Sequence, residues 1–123
     1  MTKTIIAALV GAAFVTGGAL LLPATQSSAE EAQSAIELGK ALAFDRKKGN
    51  CLACHMMAGG DLAGNIGPVL IAMKQRFPDK AVLRAQIWDS AVKNRGSVMP
   101  PFGRHRMLTD EEIDLITDYV HTL

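Results

Sequence analysis

The sequence predicts an all-α domain built from short helices. Apolar residues recur at helical spacing in several stretches, whereas no stretch alternates apolar and polar residues for long enough to form a sheet. Glycine and proline separate these stretches, and no internal repeat occurs. The chain has 123 residues, a length that is typical of one small domain.

The first 29 residues have the pattern of a secretory signal peptide. Lys3 precedes an uncharged apolar run over residues 5–22, and small residues precede the expected cut. We expect cleavage after Ala29, export to the periplasm and a domain over residues 30–123. The alternative is an uncleaved membrane anchor, which is disfavoured because three glycines interrupt the apolar run. A lipid anchor is not expected, since no cysteine lies near the cut.

The charge balance excludes one class of partner. The chain has 13 basic and 12 acidic residues, and without Lys3 the two numbers are equal. A nucleic-acid-binding domain would need a strong basic excess, so no nucleic-acid partner is expected. A domain this short buries a modest core and often depends on a disulfide, a metal or a cofactor. The two cysteines are the residues that could attach one.

Four helices are predicted, and the first three are bounded by glycine, proline or capping residues. They cover residues 30–44, 68–76 and 80–94, with Asp79 as the cap of the third. The third has apolar residues at helical spacing that we expect to be buried: Ala81, Ala85, Trp88 and Val92.

The last helix has the clearest local signals. Thr109 and Glu112 form a capping box, which marks the start of a helix. Its apolar residues give a buried stripe: Ile113, Ile116 and Val120. Just before it, Pro100 and Pro101 exclude regular structure, so residues 98–108 are predicted to form a loop.

The chemistry of the chain is concentrated in the stretch Cys51-Leu52-Ala53-Cys54-His55. A thioredoxin-like dithiol would need a strand-helix setting, which the sequence does not offer. A structural zinc site would need a second ligand pair, and the other two histidines are sixteen residues apart. The third interpretation is covalent haem c, with Cys51 and Cys54 bonded to the porphyrin vinyl groups and His55 bound to iron. This interpretation suits a secreted helical chain and uses both thiols.

A haem iron also has a sixth position, and a methionine thioether there favours electron transfer. Met99 is the preferred candidate because it lies on a proline-stiffened loop, and Met107 on the same loop is the alternative. Met73 is expected in the core, since it lies on a helix. Pro68 follows His55 by thirteen residues, and its backbone carbonyl could accept the second imidazole N–H.

These residues, in this order, resemble the class I cytochrome c family. The haem motif is followed by Gly67-Pro68 and Met99-Pro100, and Tyr119 lies on the last helix. The resemblance implies an all-α class I cytochrome c fold around one haem c with His55 and Met99 as ligands. It also implies that the last helix crosses the first helix near Gly39.

Two longer blocks resemble the SoxX family, the small cytochrome subunits of the SoxAX complexes of sulfur-oxidising bacteria. They are GNCLACHMMAGGDLAGNIGPVL and MPPFGRHRMLTDEEIDLITDYV. The resemblance implies a heterodimer with a SoxA-type cytochrome, a SoxYZ carrier protein whose cysteine is joined to thiosulfate, and a downstream cytochrome c acceptor. The bond-forming site is then expected on the SoxA-type subunit, so no residue of this chain is assigned as catalytic.

A second functional hypothesis is a free, diffusible periplasmic monohaem cytochrome c. The haem motif and Met99 fit this hypothesis equally well. A near-neutral domain is less typical of a mobile carrier, which uses a strong charge field for docking. Basic residues nevertheless flank both parts of the predicted haem site, at positions 46–48 and 104–106, where they are either solvated or steer an anionic partner.

Overall fold

The computed structural model describes residues 24–123, so most of the predicted signal peptide lies outside the described residues and stays a prediction. The helices are α1 (Ala24–Phe44), α2 (Met73–Arg76), α3 (Lys80–Trp88) and α4 (Asp110–His121). Two 3-10 turns cover Cys51–Ala53 and Ser90–Val92. No strand occurs in residues 24–123, so the predicted all-α class is confirmed. Within this range no helix is long and apolar enough to cross a membrane.

The first and last helices cross in close contact at Gly39. A Cβ added to Gly39 would lie 2.0 Å from the Leu115 carbonyl oxygen and 3.0 Å from the Tyr119 Cβ. Only glycine therefore allows the two backbones to approach this closely. The Tyr119 ring also packs edge-on against Phe44, with ring centroids 6.0 Å apart. The crossing implied by the family resemblance is present.

Helix α4 starts where its sequence signals predict. The Thr109 side chain accepts a hydrogen bond from the Glu112 amide at 3.1 Å, and the Glu112 carboxylate accepts one from the Thr109 amide at 2.9 Å. The predicted apolar stripe is fully buried and forms the centre of the core: Ile113, Ile116 and Val120.

Helix α3 differs from its prediction in length and in its buried face. Asp79 is its cap, as predicted, but the helix ends at Trp88 because Asp89 is extended and caps the following 3-10 turn. Leu83 and Ile87 are the buried residues. Both sets of apolar residues have helical spacing, but packing of α3 against α4 selects Leu83 and Ile87. The predicted face was wrong, since three of its members are exposed: Ala81, Ala85 and Val92.

The predicted helix over residues 68–76 is reduced to its last turn, Met73–Arg76. Two backbone groups of the missing part have partners elsewhere. The Pro68 carbonyl contacts the His55 ring, and the Leu70 amide donates to the Met56 carbonyl at 2.9 Å. Residues 68–71 therefore follow the loop that carries His55. Helix α1, by contrast, begins earlier than the predicted residue 30.

Candidate functional site

A cavity of about 740 Å³ opens between the helices, and it collects the predicted site residues. Cys51, Cys54 and His55 line it together with Pro68 and Met99. These residues come from three separate segments, so the fold brings them together. Much of the remaining lining is the buried apolar core: Met73, Leu83, Ile87, Phe102, Leu108 and Ile116.

The two thiols are presented by the short 3-10 turn that begins at Cys51. Asn50 precedes it in the left-handed conformation, with φ of 46°, and the His55 amide donates to the Cys51 carbonyl at 2.9 Å. Burial raises the pKa of the Cys51 thiol to about 11. A redox-active dithiol depends on the opposite shift, towards a stabilised thiolate.

The loop that contains Gly67 and Pro68 fixes the imidazole of His55. Its Nδ1 lies 2.7 Å from the Pro68 carbonyl oxygen. The Gly67 amide donates to the Cys54 carbonyl at 2.8 Å, which fixes this loop against the haem motif. A Cβ on Gly67 would lie 2.4 Å from the His55 Cε1, so this position has room only for glycine.

Three methionines line the cavity, and their exposure differs. Met73 on α2 is 1% exposed and belongs to the core, as predicted for a helical methionine. Met99 is half-buried and packs against the core cluster. Met107 is 49% exposed. The loop thus presents two thioethers to the cavity, and Met99 is the one that the core holds in place.

The electrostatic character of the cavity is cationic. Arg46, Lys47, Lys48 and Arg76 line it, and none of the described lining residues is acidic. The Arg76 guanidinium donates to the Val69 carbonyl at 2.8 Å, so its position is fixed. Such a lining suits a group that combines a large apolar body with carboxylates.

Comparison with protein families supports the interpretation of this cavity as a haem c site. The model of a c-type cytochrome family, described as cytochrome c oxidase, cbb3-type, subunit III, matches residues 34–120. The chain belongs to this family. Its cofactor is therefore covalently bound haem c, and electron transfer is its general function. The described residues fit that cofactor, because two thiols, an oriented imidazole and a thioether line one apolar, cationic cavity.

One curated relative of the cytochrome is an uncharacterized lipoprotein of Aquifex aeolicus (strain VF5). The two chains are 40% identical over 79 residues, which are 61% of this chain and 37% of the relative. The cytochrome thus matches little more than a third of that protein.

The other interpretations of the two cysteines find no support in the described part of the cytochrome. Residues 24–123 contain no strand, and a thioredoxin-like dithiol would need a strand-helix setting. Nor do three His, Cys, Asp or Glu side chains cluster there as metal ligands, as a structural zinc site would require.

Several residues near the site were not found by sequence reasoning. In the sequence Gly67 is only one residue of the Gly67-Pro68 motif, whereas in the structure its close approach to His55 is a steric requirement. The hydroxyls of Ser90 and Ser97 lie 2.6 Å apart beside Met99. No local pattern marks such a pair, because it depends on tertiary packing. Trp88, which was predicted to be buried, packs against the core but does not line the haem cavity.

Proposed function

We propose that this cytochrome binds one haem c through Cys51 and Cys54, that His55 and Met99 would bind its iron, and that it carries single electrons. The observation that supports this most directly is that one cavity brings the haem motif of residues 51–55 together with Met99 from a distant segment. When bound, haem c supplies one-electron transfer between ferric and ferrous iron.

The residues of the chain prepare that site in three ways. The Pro68 carbonyl accepts a hydrogen bond from the Nδ1–H of His55, which leaves the Nε2 lone pair free for a metal. Gly67 leaves room for the imidazole in that orientation. The buried apolar lining excludes water, which lowers the local dielectric around the cofactor.

The ligand choice follows from burial and chemistry. A thioether raises the reduction potential of a haem and occupies the position that oxygen would need. Met99 packs against the core, whereas Met107 is 49% exposed. A fixed sulfur loses less conformational entropy on binding iron than an exposed one, so Met99 is the better sixth ligand.

A spectroelectrochemical titration of the purified holoprotein tests this proposal. We expect a single reversible one-electron wave and low-spin spectra in both oxidation states. A protein without a haem band would overturn the proposal, and so would a ferrous form that binds carbon monoxide as readily as a five-coordinate haem does.

The finer part of the proposal is that the cytochrome is the SoxX-type subunit of a periplasmic SoxAX complex. It is supported by the two sequence blocks quoted above, which span both ends of the site. In this role the chain accepts electrons from the SoxA-type subunit while thiosulfate is joined oxidatively to the carrier cysteine. It then passes them to a downstream cytochrome c. The signal-peptide pattern of residues 1–29 supports a periplasmic location.

Reconstitution tests this finer part separately. The holoprotein is mixed with a SoxA-type partner, a SoxYZ carrier and thiosulfate, and reduction of its haem is followed. We expect reduction that requires all three components and is lost when the carrier cysteine is replaced by serine. A haem that remains oxidised, in a protein that purifies as a monomer, would instead favour the diffusible carrier.

A further inference from the structure

The loop that carries Met99 is attached to the end of α3 at three consecutive residues. We call residues 97–104 the ligand loop. Trp88 contacts its far end, since the Trp88 carbonyl accepts a hydrogen bond from the Gly103 amide at 3.0 Å. A Cβ on Gly103 would lie 1.9 Å from the Trp88 ring, so the two segments are in direct contact. Asp89 and Ser90 add polar contacts to both ends of the loop.

Asp89 holds the far end through a buried carboxylate. Its side chain is 6% exposed, and its Oδ2 lies 2.8 Å from the Arg104 Nε. Its other oxygen accepts the Ala91 amide at 3.0 Å, which caps the 3-10 turn. Both carboxylate oxygens of Asp89 thus have partners. Loss of the Arg104 guanidinium would leave the buried Asp89 charge uncompensated. The contact therefore restrains Arg104 and the loop before it.

Ser90 holds the end at which Met99 lies. The residue is 0% exposed, its hydroxyl lies 2.6 Å from that of Ser97, and it donates to the Met99 carbonyl at 3.3 Å. The Ser97 hydroxyl in turn accepts the Met99 amide at 3.3 Å. The amide and the carbonyl of Met99 are both satisfied by this pair, although Met99 lies in no helix or strand.

We infer that Asp89 and Ser90 are positioning residues for the Met99 sulfur. This inference rests on the proposed function, in which Met99 is the sixth ligand. A thioether on an irregular loop leaves the iron whenever the loop opens, and the open fraction sets the apparent affinity of any competing ligand. The contacts of Asp89 and Ser90 keep that fraction small, because each must break before Met99 can move away.

Imidazole competition on the ferric holoprotein measures the open fraction. Imidazole binds the iron only when Met99 has left, so its apparent dissociation constant reports loop opening. Asp89→Asn loses a charge-assisted hydrogen bond, and Ser90→Ala loses a buried one. We therefore expect each variant to bind imidazole more tightly, on the order of tenfold. Arg104→Gln breaks the same ion pair from its exposed partner and should act like Asp89→Asn, whereas Arg104→Lys should restore part of the effect.

Two variants control for general destabilisation. Asp79 caps α3 as Asp89 caps the 3-10 turn, with its Oδ1 2.8 Å from the Ala81 amide. Asp79→Ala therefore removes a cap of the same kind away from the ligand loop. Thr117→Val removes a buried hydroxyl that bonds the Ile113 carbonyl at 2.7 Å. Both controls should bind imidazole with the affinity of the parent protein.

The outcomes distinguish the two proposals. Unchanged imidazole affinity in all loop variants, or equal tightening in the controls, would overturn the positioning role while Met99 ligation stands. A parent protein without the weak red absorption band of a thioether bound to ferric haem would overturn both. Where Asp89→Asn does not accumulate, Arg104→Gln decides the question, because Arg104 is half-exposed and its replacement leaves no cavity.

Discussion

The Nδ1 atom of His55 lies 2.7 Å from the Pro68 carbonyl oxygen, and Gly67 leaves the imidazole no spare room. This relationship joins the haem motif to the next loop and explains why that loop is not helical. The Pro68 carbonyl faces the His55 ring, and the Leu70 amide donates to the Met56 carbonyl, so the backbone of residues 68–71 follows the haem-motif loop instead of a helix. The backbone of residues 67–68 therefore fixes the orientation of His55, the proposed iron ligand.

Gly67→Ala should disturb this orientation. Its Cβ would lie 2.4 Å from the His55 Cε1, so the ring or the loop must move. We expect a loss of stability of about 1–3 kcal/mol, as for other overpacked sites, together with a lower haem content per chain. Gly96→Ala is the matched control, since its Cβ would meet only the Asn94 Oδ1 at 3.5 Å. Equal haem content and equal unfolding midpoints in the two variants would contradict this prediction.

Replacement of the two loop methionines should separate the ligand from its neighbour. Met99→Leu keeps the side-chain volume but removes the thioether, so the reduction potential should fall by on the order of 0.1 V. Met107→Leu is the control and should leave the potential and the visible spectrum unchanged, because the proposed ligand is Met99, which packs against the core. The opposite pattern in voltammetry would assign the sixth position to Met107.

Gly39→Ala should weaken the crossing of α1 and α4. The added Cβ would lie 2.0 Å from the Leu115 carbonyl oxygen, and backbone cannot move aside as a flexible side chain does. A loss of about 1–3 kcal/mol is expected, although alanine in an open helix gains roughly 1 kcal/mol over glycine. Urea unfolding of the holoprotein measures it. Ser34→Ala on the exposed part of α1 should be neutral.

Glu112 should give the cytochrome an acid-sensitive contribution to stability. The Lys48 ammonium at 2.5 Å, and then the Thr109 amide, lower the pKa of the Glu112 carboxyl. Because the folded-state pKa lies below the unfolded value, this contribution is complete above the ordinary pKa of 4.5 and is lost as the pH falls below it. Glu112→Gln should cost up to about 1 kcal/mol at neutral pH and nothing in acid, since the ion pair is partly exposed.

The control for this prediction is one residue away. Glu111 makes no ion pair or side-chain hydrogen bond within the described part of the chain, so Glu111→Gln should unfold like the parent at every pH. Urea midpoints at neutral and acid pH measure both variants. A Glu112→Gln curve parallel to that of the parent from neutral to acid pH would show that the ion pair contributes nothing.

The sequence correctly predicts the features that depend only on residues close together in the chain. The capping box at Thr109, the cap at Asp79 and the apolar stripe of α4 all follow from short-range hydrogen bonds and spacing, and the structure confirms them. The haem motif predicted the cofactor class for a similar reason, because thioether attachment needs a fixed local spacing. The family match confirms that class.

Residues that depend on distant partners were missed or misplaced. The wrong face of α3 was predicted to be buried, since Ala81 and Leu83 belong to two sets of helical spacing and only the packing against α4 distinguishes them. The pairing of Asp89 with Arg104 joins residues from separate segments and leaves no local pattern. The preference for Met99 over Met107 as sixth ligand stays a proposal, and the packing of Met99 against the core, which the sequence does not show, supports it.

The intact mass of the purified chain, measured under denaturing conditions, tests the central claim most directly. The account predicts a single species that retains one haem, because thioether bonds at Cys51 and Cys54 survive unfolding. It also predicts that Cys51→Ala together with Cys54→Ala yields a chain without haem. A native chain at its bare polypeptide mass, with two thiols open to alkylation, would contradict the account.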